Sequence, residues 1–242
     1  MAPTHPWRTV ARALRYPYPA AAAPVRLTPE GPAPLPDPAP EALLGEGRHA
    51  VIAVGANAAP ERLAEKLSDT HPDPPAGPNV PMVPAWLEGH AVVYSAHITR
   101  YGALPATLHP CPGARCRVTV LFPTGDELAR LHGTEALGEN YRFSWLGGLR
   151  LELAGGGRLT AAGAYLSLHG PLERDGAPVA LAAVAAEGVS YPTLTQVAAQ
   201  RLAMARLGTA GRVRDFVRAN TADPALRAHR TRRLKAARIF GP

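Results

Sequence analysis

The residues best suited to chemistry in this chain lie at a change of pattern. The stretch AVIAVGANAAPERLAEKL, residues 50–67, begins as an apolar run of strand character, passes through Val54-Gly55-Ala56-Asn57, and turns amphipathic with Pro60 in the first helical turn. A sharp strand-to-helix turn aims successive backbone N–H groups outward beside a helix N-terminus, which suits a carboxylate, a phosphate or a developing oxyanion. A second constellation occupies 101–141, YGALPATLHPCPGARCRVTVLFPTGDELARLHGTEALGENY. It joins a Gly-x-x-x-Ala-Thr strand, a Pro-Gly turn, a Val-rich strand and a short helix, and then sets Glu135 six positions before Tyr141. Several other chemistries are excluded: there is no G-x-S-x-G elbow, no H-E-x-x-H, no pair of C-x-x-C motifs and no Gly-rich loop ending in Lys-Ser or Lys-Thr. The nine histidines lack ligand spacing, so no metal is expected, and no cofactor is called for.

The order of these pieces resembles the gamma-glutamylcyclotransferase family. The loop reads Val54-Gly55-Ala56-Asn57, the strand Ala106-Thr107-Leu108, the turn Pro112-Gly113, and the segment after the helix runs from Leu128 to Glu135. The match covers about Ala50 to Leu207, with AYLS at 164–167 and the helix at 193–207 as its later parts. The resemblance implies an internal acyl transfer, in which the α-amine of a γ-glutamyl group attacks its own γ-carbonyl to give 5-oxoproline and release an amine or amino acid. It assigns Glu135 as the catalytic general acid/base, in a pocket dry enough to make a carboxylate an effective base. Val54, Gly55, Ala56 and Asn57 would offer backbone N–H groups to the substrate's α-carboxylate or to the oxyanion, and Tyr141 would orient the glutamate or the leaving group. Tyr101 and Arg100, beside Gly102, are placed at the mouth of the same pocket, where an anionic substrate would meet them; they read equally as an ordinary aromatic-basic pair at a strand end. Two departures stand out: Val54 replaces the family's usual tyrosine and Ala56 a frequent serine, so an aromatic wall and a hydroxyl are missing while the backbone donors remain.

Two other readings stay open. One is a module of the same fold that binds a small molecule or a partner without catalysis, motivated by Val54 and Ala56. The other is nucleic-acid binding through the C-terminal tail. From Arg201 onward there are eleven Arg or Lys against Asp215 and Asp223, a formal +9 within a chain of net +7. Such a tail attracts phosphates, but only Phe216 and Phe240 offer stacking platforms, and a solvated Arg-rich helix pair explains it as well.

The elements that must position these residues follow from pattern. The chain, 242 residues and 46% hydrophobic, is long enough for one core. The expected architecture is α+β, a small mixed β-barrel with peripheral helices: a Pro-rich N-terminal arm at 1–48, a central domain at 49–208 and a basic helical tail at 209–242. The arm, YPYPAAAAPVRLTPEGPAPLPDPAP, has no hydrophobic period and is expected to be unstructured or to wrap around the domain. Strands are expected at 50–54, 91–98, 103–108, 115–122, 140–146, 149–153 and 161–168, with a Pro-rich loop over 71–84. Helices are expected at 60–67, at 124–133 with a Thr124/Glu127 capping box, at 193–207 with Leu194, Val197, Ala198, Leu202 and Ala205 on its inner face, and at 212–219 and 224–239. The capping box accounts for Glu127. Cys111 and Cys116 flank the turn-like PGAR and read as free thiols that would face each other across a hairpin. The start lacks a secretory signal's apolar region and no run is long enough to span a bilayer, so a soluble cytoplasmic protein without membrane contact is expected.

Overall fold

Alternation in a run of three residues organises the architecture. In the computed structural model, which describes residues 6–36, 39–68 and 77–236, the strands are β1 (Val25–Thr28), β2 (Gly31–Pro34), β3 (Val51–Ala53), β4 (Val80–Tyr94), β5 (Ala106–Leu121), β6 (Tyr141–Leu153) and β7 (Arg158–Ser167). The helices are α1 (Pro6–Leu14), α2 (Pro40–Gly45), α3 (Pro60–Ser68), α4 (Gly125–Thr134), α5 (Gln196–Arg206), α6 (Val213–Ala222) and α7 (Pro224–Ala236). Two-residue strands at 180–181, 186–187 and 193–194 extend the sheet margins, and those at 173–174 and 177–178 form a small ribbon of their own. Successive strand residues point to opposite faces, so Ile52 joins the main core while Val51 and Ala53 pack on the other side with Leu63, Leu67, Leu128 and Leu131. The apolar faces of α3 and α4 therefore bury against one side of β3. Full burial of a leucine such as Leu63 or Leu131 stabilises by about 1.5–3 kcal/mol.

β3 pairs with β5, β5 with β4, β4 with β6, β6 with β7, and β7 returns to β3, which closes a five-stranded ring. All these pairings are antiparallel except β3 with β7. The ring with its outer helices is the mixed barrel expected from the sequence. Its long strands bend where the register slips. Glu88 faces Arg115 and His90 faces Pro110, so Gly89 alone opposes residues 111–114. Gly89 (φ 72°) and Gly113 (φ 80°) take up the left-handed conformations that such a bulge demands.

That bulge corrects several expectations. Pro112-Gly113 is not a hairpin turn but an irregularity inside one continuous β5, so the runs at 103–108 and 115–122 belong to a single strand. Cys111 and Cys116 lie on that same strand rather than across a hairpin, both buried and both free. The two expected strands at 140–146 and 149–153 likewise fuse into β6. The Pro-rich loop is shorter than expected: residues 69–76 lie outside the described residues, but from Val80 the chain is already strand. Its prolines serve through their carbonyls, Pro81 accepting from Phe122 N–H at 2.9 Å and Pro84 from Ala154 N–H at 2.8 Å. In α5 the buried stripe is Gln196, Ala199, Gln200, Ala203 and Met204, not the expected aliphatic set. The helix is rotated because its glutamines face inward, Gln200 Nε2 donating to Gly102 O at 2.8 Å. The final helix is described to Ala236, and the residues beyond it that were expected to continue it lie outside the described residues.

The N-terminal arm, expected without structure of its own, folds onto the barrel. β1 pairs with both β2 and β4, and Ala13, Tyr16 and Leu27 are buried. The Tyr16 hydroxyl accepts the Ala106 N–H at 2.7 Å. Sparse apolar residues that could not fold alone here complete a core that others supply. The substitution Tyr16→Phe leaves the Ala106 N–H buried without its acceptor and is expected to cost about 1–3 kcal/mol. Urea unfolding would show this as a lower midpoint at constant slope; an unchanged midpoint would mean that the arm's hydroxyl contributes nothing.

Candidate active site

Three elements converge on one carboxylate. Asn57 lies in the turn after β3, Lys66 in the last turn of α3, and Glu135 is the C-cap of α4. Because α3 and α4 pack side by side over β3, the turn that starts one helix meets the residue that ends the other. Glu135 is 8% exposed. Its Oε1 accepts from Asn57 Nδ2 at 3.0 Å, from the Thr134 hydroxyl at 3.3 Å and from Lys66 Nζ in a close ion pair. Lys66 Nζ also donates to Asn57 Oδ1 at 2.7 Å, which closes a triangle and fixes the orientation of the amide. Glu135 Oε2 has no hydrogen-bond partner among the described residues. One carboxylate oxygen is thus held by Asn57 and Lys66, with a share of the Thr134 proton that also goes to Leu131 O at 2.9 Å, and the other is uncommitted.

Tyr141 and Tyr16 hold the two backbone groups of a single residue, Ala106. Tyr141 Oη donates to Ala106 O at 3.2 Å, while Tyr16 Oη accepts from Ala106 N–H. Burial holds both phenols well above the usual tyrosine range; for Tyr141 the nearby Glu135 charge and Tyr101 add to it, and for Tyr16 so do Tyr141 and Tyr101. Tyr101 packs near Tyr18 with the Arg12 guanidinium over its ring at 5.0 Å, and burial raises its phenol in the same way. Arg100 is exposed and has no hydrogen-bond or ion-pair partner among the described residues.

Gly55 is where Tyr16 and the turn meet. A Cβ there would overlap the Tyr16 hydroxyl, so the close approach requires glycine. Val54, Gly55 and Ala58 line a cleft of about 530 Å³ whose opposite wall is Pro17, Tyr18 and Pro19 of the arm. Ala56 and Asn57 do not line it, nor do Glu135 and Tyr141. A larger open groove of about 830 Å³, between Gly89, Gly113, Trp145 and Gly147, holds none of the residues expected at the site.

Sequence reasoning missed the partners of these residues. Lys66 lay in the quoted helix but carried no signal beyond being one of two lysines, and Tyr16 sat in a segment read as irregular. A polar strip beyond Tyr141, buried at Ser95 and His97 and half-buried at Asn140, Ser167 and His169, was missed as well. Ser95 Oγ lies 2.7 Å from His97 Nδ1 and 2.6 Å from Ser167 Oγ, His169 Nε2 lies 3.0 Å from Asn140 Oδ1, and the two imidazoles stack at 4.7 Å. The His97 ring meets Tyr141 edge-on at 5.5 Å. Among the described residues no three His, Cys, Asp or Glu side chains converge as a metal site, and no helix is long and apolar enough to cross a membrane.

No family model matches the sequence, and no match among curated proteins is found. Two Arabidopsis thaliana proteins known from solution structures overlay with TM-scores of 0.36 and 0.35, at 21% and 15% identity. Each match takes in 50% of this chain, and 70% and 62% of theirs. A gamma-glutamyl cyclotransferase overlays with a TM-score of 0.35 at 16% identity, over 49% of this chain and 66% of that one. The likeness to that gamma-glutamyl cyclotransferase takes in just under half of this chain. At these values the likeness is one of partial architecture and says nothing of chemistry.

The histidine strip carries a pH dependence of its own. Burial, with the neighbouring His169, pushes His97 down to about 3, and burial lowers His169 too. His97 is therefore neutral in the fold but takes up a proton near pH 6.5 once unfolded. Between those values the unfolded chain binds more protons, so this stability is complete above pH about 6.5 and is lost progressively as pH falls toward about 3. Thermal unfolding temperature is expected to drop between about pH 7 and pH 5, and to drop less in His97→Gln, which keeps a polar partner for Ser95. Equal drops in the two proteins would remove His97 as the cause.

Proposed function

We propose that the chain carries out acyl transfer of the cyclotransferase type, converting a γ-glutamyl group to 5-oxoproline with release of an amine or amino acid. One observation carries this reading: a carboxylate 8% exposed, at the position the sequence resemblance singled out, is held on Oε1 by Asn57 of the Gly55 turn while its Oε2 is uncommitted. In the reaction the substrate's α-ammonium gives a proton to Glu135 Oε2. The freed amine forms a bond to the γ-carbonyl carbon, and the carbonyl oxygen takes up negative charge. Collapse of that intermediate breaks the bond to the leaving nitrogen, which receives the proton back from Glu135, and the ring nitrogen then gives up its second proton through Glu135 to the departing amine, leaving a neutral lactam and an ammonium. A single carboxyl group thus serves as base and then as acid.

The N–H groups of Gly55, Ala56 and Asn57 make no backbone hydrogen bond among the described residues and are the available donors for the oxyanion. Since the nucleophile belongs to the substrate, much of the acceleration comes from holding a flexible glutamyl chain in a ring-like pose. Tyr141 contributes by position, its hydroxyl tied to Ala106.

A second reading has its own support. Tyr16 is packed onto Gly55, and the cleft beside the turn does not include Glu135, which favours a ligand-binding module without turnover. Incubation with a panel of γ-glutamyl amines and dipeptides, followed by mass spectrometry for 5-oxoproline, separates the two. The cyclotransferase reading expects product from at least one compound and a loss of about 10²- to 10⁴-fold in kcat/KM for Glu135→Gln. Full activity in Glu135→Gln would take the carboxylate out of the mechanism, and an absence of product across the panel would leave the binding module standing.

A further inference from the structure

The Lys66–Glu135 pair is incompletely satisfied in a particular way. An ammonium has three N–H donors. Two of those on Lys66 go to Asn57 Oδ1 and Glu135 Oε1, and the third has no acceptor among the described residues. On the facing carboxylate Oε2 has no donor. The side chains are 22% and 9% exposed, so the pair reaches solvent while remaining largely enclosed. A free cationic donor and a free anionic acceptor therefore stand side by side at the end of α3.

A lone anion at this place would gain from Lys66 and be repelled by Glu135, and a lone cation would meet the reverse. A ligand with both charges a carbon apart satisfies both. We propose that Lys66 and Glu135 together receive an α-amino-acid head group, the α-ammonium on Glu135 Oε2 and the α-carboxylate on Lys66 Nζ, with Lys66 setting specificity for a free α-carboxylate. This rests on the acyl-transfer reading above and narrows its substrates to amides of glutamate whose α-groups are both unmodified. It also divides the labour: with the α-carboxylate on Lys66, the amides of the Gly55 turn are left for the oxyanion.

The residue type fits the task. Of 26 basic side chains only Lys66 and Lys235 are lysines, so an ammonium occurs here in a chain that otherwise uses arginine. A compact ammonium can bridge three separate acceptors around one point, whereas a planar guanidinium presents its donors as a fixed fork.

The test compares two anilides with the full chain: a γ-glutamyl anilide, and the 4-aminobutanoyl anilide that differs only in lacking the α-carboxylate. Aniline release is followed for the unmodified protein and for Lys66→Gln, whose amide can still donate to Glu135. The proposal expects Lys66→Gln, beyond whatever loss both probes share through Glu135, to lower the ratio of kcat/KM for the γ-glutamyl probe over the 4-aminobutanoyl probe by about 10- to 100-fold, chiefly through KM. Lys66→Arg, which keeps a cation over Glu135 should Lys66→Gln fail to fold, is expected to retain part of the preference for the γ-glutamyl probe. Equal losses on both probes, or none, would overturn the assignment while leaving acyl transfer intact. Where the unmodified protein cleaves neither anilide, the panel above still decides acyl transfer, and calorimetric titration with γ-glutamylalanine decides the head-group site: binding weakened by either Lys66 variant supports it, and absent or Lys66-independent binding overturns it.

Discussion

The cost of burying the Glu135 carboxylate governs the arrangement around it. A carboxylate taken out of water is strongly disfavoured unless a cation and hydrogen-bond donors replace the lost hydration. Here the donors come from three places in the chain: Asn57 before α3, Lys66 at its end, and Thr134 beside Glu135 itself. Their meeting depends on α3 and α4 both lying over β3, so the apolar packing of Leu63, Leu67, Leu128 and Leu131 is what makes the polar cluster possible. Break the packing and the charge is left uncompensated; remove the compensation and the packing must absorb a buried charge. The two are coupled, and additivity between substitutions in the helices and in the cluster is not expected.

The barrel imposes the second constraint. Its only parallel seam joins β3 to β7, and β3 is three buried residues long, so little backbone pairing holds the strand from which the Gly55 turn departs. The ends of β3 are fixed instead by what packs on the turn. Tyr16 presses on Gly55 from one side and Asn57 is tied to α4 on the other. A short strand clamped at its exit is a means of holding backbone donors still, which is what electrostatic stabilisation of a developing charge requires.

What the sequence made legible was local. The strand-to-helix turn, the start of α3 and the Thr124/Glu127 capping box each depend on neighbours within a few residues, and each formed as expected. The barrel itself was legible from the alternation of short apolar runs with Gly and Pro. The same punctuation misled at Pro112-Gly113 and Pro81, because a bulge and a strand with idle N–H positions tolerate those residues as well as a turn does. The face of α5 was misjudged because apolar count favoured Leu194 and Leu202, while two glutamines turned inward to satisfy the backbone of the 99–104 loop, a demand that no helical pattern announces. Lys66 and Tyr16 were out of reach for a plainer reason: their partners lie 69 and 90 residues away.

Tyr16 also bears on the departure at position 54. Where the sequence resemblance led one to expect an aromatic residue before the glycine, this chain has Val54, and a ring that lies against Gly55 comes from the N-terminal arm. The arm's hydroxyl holds the Ala106 N–H while Tyr141 holds the carbonyl of the same residue, and Tyr141 in turn lies within the field of Glu135. A segment without hydrophobic periodicity of its own therefore shares one residue's backbone with the candidate site. The arm cannot lift away without exposing Gly55 and orphaning a buried amide. In contrast, the basic tail spends Arg227 and Arg230 on Asn220 within its own helices, and Arg214 and Arg218 share Asp215. Of the two flanks, the N-terminal one is the part whose docking the turn depends on.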